Sequence, residues 1–288
     1  MRVSRLTPLL AVLPTAFAAP KQPDISNTTT LPTHFGLLVF PHFQALDVFG
    51  PMDVLNTLNM LYSSTTTMRL SILSKSLDPV STAMTGMQGQ GGFGESIVPT
   101  ITFEDYLARG EKNEDEDCED GTVAKRKSPS HDRGYMTNGT TEVDKGDIEV
   151  LIVPGGGGTR QNMTEDIAFV KELYPKLRYI ISVCTGASIL ARAGILDGRK
   201  ATTNKRSWSW VISTGPNVTW IPTARWVEDG NIFSSSGISA GIDVTYAWVG
   251  RVYGDEVAEY LSLISEYDRE IDANHDPYGK IWDVPGAT

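Results

Sequence analysis

Short uninterrupted apolar runs alternate along this chain with stretches in which apolar side chains recur every three or four positions. His34 to Phe40 (HFGLLVF) is the first run, of a length suited to a buried strand and ended by Pro41. Leu46, Phe49, Val54, Leu55 and Leu58 follow at helical spacing, which predicts a helix over Leu46 to Met60 with an irregular entry at Gly50-Pro51. Met68 to Leu73 (MRLSIL) reads as a second strand, and the Gly-rich, then β-branched stretch from Met84 to Thr102 as a loop and a shorter strand. Ile148 to Val153 (IEVLIV) is another strand, closed by Pro154 and four glycines. Thr164 is placed to cap a helix whose first turn carries Glu165 and Asp166, both favourable at the positive end of the helix dipole. Arg178 to Val183 (RYIISV) is a strand, and Thr185 to Ala193 an apolar helix. Trp226 to Ser234 reads as a hairpin around Glu228-Asp229-Gly230-Asn231, and helices from about Gly241 to Tyr253 and Glu256 to Tyr267 follow it. Alternation of buried strand, turn and helix predicts an α/β fold, a mostly parallel sheet with helices on both faces.

The segment from Gly110 to Gly146 breaks this pattern, with ten acidic and six basic side chains in 37 residues and few large apolar ones. A stretch of that kind inside a compact domain is either a functional loop or a disordered insertion, and its composition points to the latter. Lys125-Arg126 within it is either a dibasic processing site or part of a solvated charge run. At the N-terminus, Arg2 and Arg5 precede an apolar stretch from Leu6 to Leu13 and the tripeptide Ala16-Phe17-Ala18, the layout of a cleaved secretory signal over residues 1–18. A frayed N-terminal helix is the plainer alternative. The stretch is too short, and too interrupted by Pro8 and Pro14, to span a bilayer. Residues 19–32 then read as a linker, and 33–288 as a single domain carrying the insertion. Four Asn-x-Ser/Thr sites, at Asn27, Asn138, Asn162 and Asn217, fit passage through a glycosylating compartment and a secreted, extracellular product.

Composition is that of an ordinary globular protein, 40% hydrophobic and 21% charged, so a sizeable core can form. The net charge of −10 argues against a nucleic-acid footprint and leaves a small molecule or a protein as partner. With two cysteines, Cys118 and Cys184, the chain is no disulfide scaffold, although a Cys118–Cys184 bridge is the alternative to a free thiol in an oxidising compartment. Cysteines and scattered histidines lack metal-ligand spacing, so neither metal nor cofactor is expected.

Candidate chemistry concentrates where Ile180-Ile181-Ser182-Val183 passes directly into Cys184-Thr185-Gly186-Ala187. A cysteine at such a strand-to-helix elbow points at unpaired helix N-terminal N–H groups, which favour the thiolate. The alternative is a buried cysteine acting as a small hydrophobe. Val153-Pro154-Gly155-Gly156-Gly157-Gly158 ends the neighbouring strand with a backbone rich in free N–H groups, and Gly156 together with Thr185 could stabilise an oxyanion.

Five segments in order, Leu46-Asp47-Val48-Phe49-Gly50-Pro51, Val153-Pro154-Gly155-Gly156, Val183-Cys184-Thr185-Gly186-Ala187, Ala193-Gly194-Ile195-Leu196-Asp197-Gly198 and Ala201-Thr202-Thr203, resemble successive motifs of the ThiJ/PfpI superfamily. The branch resembled most is that of the isonitrile hydratases and the ligand domains of AraC-type regulators, over about residues 33 to 270. The resemblance implies a flavodoxin-like sheet, a homodimer, a small-molecule substrate or ligand, and an acid from the first strand-to-helix connection beside the cysteine. Asp47 holds that position, either as proton carrier or as a cap of the helix it precedes. Ser236-Gly237-Ile238-Ser239-Ala240-Gly241-Ile242-Asp243 resembles the hydratase branch too, which places Asp243 near the pocket or, alternatively, on the helix dipole. Many relatives read Thr-Thr-His where this chain reads Thr202-Thr203-Asn204; asparagine takes no proton near neutral pH, so a local Cys–His dyad is missing and only His42 of the four histidines is expected near the mouth. The resulting expectation is a cysteine-dependent hydratase or lyase acting on a small electrophile, with a non-catalytic extracellular binding or redox-responsive protein as first rival and a peptidase- or amidotransferase-like hydrolase as second.

Deleting about Glu111 to Lys145 is expected to leave a domain that unfolds cooperatively with a little-changed thermal midpoint, because the segment has too few apolar side chains to join a core. Calorimetry of the deletion variant checks this, and loss of the cooperative transition would show that the segment packs.

Overall fold

The computed structural model describes residues 19–26, 30–84, 92–111 and 146–287. Its strands and helices run β1 (His34–Leu38), α1 (Ala45–Tyr62), β2 (Arg69–Ser74), β3 (Val80–Ser81), β4 (Ser96–Ile97), β5 (Ile101–Thr102), α2 (Phe103–Glu111), β6 (Val150–Val153), α3 (Thr164–Leu173), β7 (Tyr179–Ser182), α4 (Ala187–Arg192) and β8 (Lys200–Ala201). They continue with α5 (Trp208–Ser213), β9 (Thr219–Trp220), β10 (Trp226–Asp229), β11 (Ile232–Ser235), α6 (Ala240–Tyr253), α7 (Asp255–Ile264) and α8 (Tyr278–Ile281). Seven strands form the main sheet in the order β10-β11-β7-β6-β1-β2-β5, parallel throughout except for the β10–β11 hairpin. The expected mostly parallel, flavodoxin-like sheet with helices around it is therefore the observed one.

Strands β1 and β6 are buried at every position, as a sheet covered on both faces requires. On one side α1 packs on α6 and α6 on α7. Trp248 of α6 anchors that layer, with edge contacts to Phe35, Tyr179 and Tyr253, each at a centroid distance of 5.8 Å. In another cluster α3 packs on α4, and Phe169 of α3 stacks on Phe103 of α2 at 4.4 Å.

Three local expectations are corrected. Helix α1 runs through Gly50-Pro51 without a break, since both residues are buried and packing outweighs the hydrogen bond that proline cannot donate. Thr164 is the first residue of α3 and not its cap; the cap position is Met163, and Asn162 just before it accepts the Thr164 N–H through Oδ1 at 3.1 Å. The elbow segment begins as a 3₁₀ turn, Cys184–Gly186, before α4. Periodicity also gave no warning of α2, α5 or the segment after Tyr267. Of the Asn-x-Ser/Thr sites, Asn162 and Asn217 are exposed, while Asn27 and Asn138, like residues 1–18, Cys118 and Lys125-Arg126, lie outside the described residues. Among the described residues no helix is long and apolar enough to cross a membrane.

The hydroxyl of Tyr253 is buried in the Trp248 cluster with no hydrogen-bond partner among the described residues. An unsatisfied buried hydroxyl costs about 1–3 kcal/mol. Tyr253→Phe is therefore expected to be neutral or to raise the thermal midpoint; a drop of several degrees would show that the hydroxyl has a partner.

Candidate functional site

Because β7, β6 and β1 are adjacent and parallel, the connections that leave their C-terminal ends meet at one edge of the sheet. That edge is where open α/β sheets build their sites. The turn after β7 supplies Cys184, the turn after β6 supplies Gly155 and Gly156, and the first turn of α1 supplies Asp47. Cys184 has φ +57°, a left-handed conformation unusual for a residue with a Cβ, and so stores strain of roughly 1–2 kcal/mol. The turn is held from both sides, by the Val183 N–H donating to Val153 O at 2.9 Å and by Thr203 Oγ1 donating to the carbonyl of Cys184 at 2.8 Å.

Gly155 donates its N–H to Asp47 Oδ2 at 2.9 Å. A Cβ at Gly155 would lie 2.5 Å from the amide nitrogen of Thr185 and 3.0 Å from Asp47 Oδ2, so only glycine lets the three segments approach this closely. The carboxyl is fully buried, and Oδ1 has no backbone or hydroxyl donor. Burial raises Asp47 to about 7, against the lowering effect of the Gly155 N–H and the Cys184 thiol. It does not cap α1: the cap residue is Gln44, with no side-chain capping bond, and Asp47 sits inside the first turn facing the cysteine.

Among the described residues Cys184 is a free, buried thiol. Burial pushes it well above its ordinary value, and the Asp47 charge adds to that; the Thr185 N–H, the Asn204 amide and the Thr185 hydroxyl pull the other way and do not win. The expected resting thiolate is thus corrected, because desolvation outweighs the N–H groups at the start of the helix. Gly156 is corrected as well. Its N–H donates to Thr185 Oγ1 at 2.9 Å and is not directed at a ligand, at a backbone with φ +130°. Thr185 remains at the site through its own N–H, which faces the sulfur.

Asp243 does not join the thiol. Its two oxygens are taken by Arg225 Nη2 at 2.6 Å, Tyr267 Oη at 3.0 Å and the Glu270 N–H at 3.0 Å, so it fixes Arg225 and the chain after α7. His42 is turned away: Nδ1 is bound to Ala83 O at 2.5 Å. In its place Asn204 reaches the sulfur, held by its Oδ1 accepting the Ser207 N–H at 2.9 Å.

Beside Asn204 lies a cavity of about 300 Å³, lined also by Leu46, Ile238, Arg206, Tyr278 and Trp282. Its floor holds Lys205, 3% exposed, whose Nζ donates to Thr202 Oγ1 and Ala224 O, both at 2.8 Å, and pairs with Asp276 at 3.3 Å. Asp276 also accepts the Ser236 hydroxyl. Burial brings Lys205 down to about 8 in spite of that carboxylate. Lys205 was within reach of sequence reasoning, being next to Thr202-Thr203-Asn204; Asp276 carried no signal.

A cysteine at a left-handed strand-to-helix turn, an acid from the first helix and a glycine-bearing turn between them define a cysteine-centred α/β site. The chain belongs to the DJ-1/PfpI family, whose model matches residues 36–250. It is 30% identical over 235 residues to the isonitrile hydratase of Pseudomonas putida, covering 81% of this chain and 77% of that protein. It is 32% identical over 123 residues to the HTH-type transcriptional regulator GbdR of Pseudomonas aeruginosa, covering 42% of this chain and only 33% of the regulator. Among solved structures it is similar to a ThiJ/PfpI family protein from Pseudomonas syringae, with a TM-score of 0.57 at 26% identity over 89% of this chain and 84% of that one.

The folded chain keeps the Asp47 proton up to about pH 7, whereas the unfolded chain releases it near 3.8. Between those values the folded state binds more protons, so stability falls as pH rises, by on the order of 4 kcal/mol in all. Asp47→Asn is expected to flatten that slope. Urea unfolding of both proteins from pH 4 to 8 checks it, and parallel profiles would mean that Asp47 is ionised throughout.

Proposed function

We propose that the protein is a cysteine-dependent hydratase of the isonitrile hydratase type, acting on a small electrophile. The observation that carries this reading is an acid held at about 7 against a buried, protonated thiol, a pair suited to passing one proton back and forth near neutral pH. The sulfur lone pair forms a bond to the terminal isonitrile carbon, while the thiol proton passes through Asp47 to the same carbon, giving a thioimidate. Water then adds to that carbon, one of its protons travelling by way of Asp47 to nitrogen. The C–S bond breaks as the carbonyl forms, and sulfur recovers the remaining hydroxyl proton. The balance is one isonitrile and one water giving one N-substituted formamide. The Thr185 N–H and the Asn204 amide hold negative charge on sulfur during both steps, and Gly156 acts only indirectly, its N–H holding the Thr185 hydroxyl. Asn204 accepts no proton, which disfavours the peptidase- or amidotransferase-like alternative.

The second reading, a non-catalytic ligand-binding or redox-responsive protein, is favoured by the raised thiol and by the partial similarity to GbdR. Secretion after loss of residues 1–18 and a homodimer also belong to the proposal. Leu46 and Phe49, 41% and 44% exposed on α1, are apolar side chains available to such a dimer.

Formamide production from a panel of isonitriles, with glyoxals and peptides alongside, tests the reading. Cys184→Ala is expected to abolish turnover, and Asp47→Asn to lower it by about 10²–10⁴-fold with the fold intact. Unchanged turnover in Asp47→Asn would defeat the mechanism, and a panel without any Cys184-dependent turnover would favour the binding protein.

A further inference from the structure

Every charged side chain that lines the cavity beside Asn204 is a cation: Lys205, Arg206 and Arg225. Two of them are neutralised from behind, Lys205 by Asp276 at 3.3 Å and Arg225 by Asp243 at 2.6 Å. Arg206 differs. It is exposed, pairs with no carboxylate among the described residues, and its guanidinium lies over the ring of Trp282, another lining residue, 5.8 Å from the centroid. Leu46, Ile238 and Trp282 make the remaining walls largely apolar. Apolar walls lower the local dielectric, so an exposed cation without a carboxylate partner attracts an anion more strongly there than it would in open water. The chain as a whole carries a net charge of −10, which makes this lining a local exception in sign.

Building on the reading of the site given above, we infer that Arg206 selects substrates or ligands with an apolar body and a carboxylate, the apolar part occupying the cavity and the carboxylate pairing with the guanidinium. A guanidinium binds a carboxylate through two parallel N–H donors, a geometry that a lone ammonium cannot offer. The cavity volume of about 300 Å³ is at the small end for ligand sites and suits a single small ring or branched chain.

Calorimetric binding of cyclohexanecarboxylate and of its uncharged isostere cyclohexanecarboxamide, to the wild type and to Arg206→Gln, tests the assignment. The carboxylate is expected to bind the wild type about tenfold more tightly than the amide, a preference that one exposed charge-assisted pair supports, and Arg206→Gln is expected to bring the two to parity. Equal binding of the two by the wild type, a preference that survives Arg206→Gln, or binding of neither at millimolar concentration would each overturn it. The measurement involves no turnover, so an inactive enzyme with an intact preference would count against the hydratase reading alone, and an active enzyme without the preference against Arg206 alone.

Discussion

The site depends on a gap the size of a methyl group. Asp47, Thr185 and the end of β6 belong to three separate segments, and they converge because Gly155 presents only backbone where any other residue would drive its Cβ into the Thr185 amide. With that approach closed, the Gly155 N–H would not reach the Asp47 carboxyl, and Asp47 would lose the larger of the two hydrogen bonds that offset its burial. The same approach lets Gly156 bond the Thr185 hydroxyl, which steadies the residue whose N–H faces the sulfur. Strain at Cys184 is tolerated only because Thr203 and the end of β6 brace the turn from opposite sides.

That convergence sets the chemistry of the proton. A thiol at the start of a helix in open surroundings would lean toward thiolate, but here burial and a facing carboxyl push the proton onto sulfur. A protonated thiol is a poor nucleophile and also a poor target for oxidants, since both reactions proceed through the thiolate. For a protein proposed to leave the reducing cytosol, the arrangement would keep the cysteine quiet until, in the proposed reaction, Asp47 takes the proton.

The sheet was legible because its strands are nearly continuous apolar runs and its site motifs sit at strand ends, where glycine, proline and a lone cysteine stand out. Cys184 and Thr185 came from that punctuation and Asp47 from the family resemblance, and the three meet in space. Gly156 as a ligand donor and Asp243 as a pocket acid failed for a common reason, that a sequence shows a donor or acceptor but not which partner takes it first, and here Thr185 and Arg225 do; the alternative for Asp243, a first-turn carboxylate of α6, is the observed one. The two-valued reading of Asp47 could be settled only by geometry, because a cap and a proton carrier can occupy the same position after a strand. Lys205 with Asp276 was invisible in pairing, as the two are brought together by a terminal segment whose short, polar sequence has no periodicity.

The division between the two parts of the site follows from where they lie along the chain. Asp47, Cys184, Thr185 and Asn204 all fall within residues 36–250, the part that matches the family, and in the proposed reaction they handle the proton and the nucleophile. Asp276, Tyr278 and Trp282 fall beyond it, yet they hold Lys205 and build a wall of the cavity. Membership of the family therefore bears on the reaction more than on the substrate, since a pocket wall drawn from outside the family match can change shape and charge without disturbing the thiol. A carboxylate-bearing ligand would be read by that wall and by Arg206, while the chemistry beneath stayed that of the buried pair.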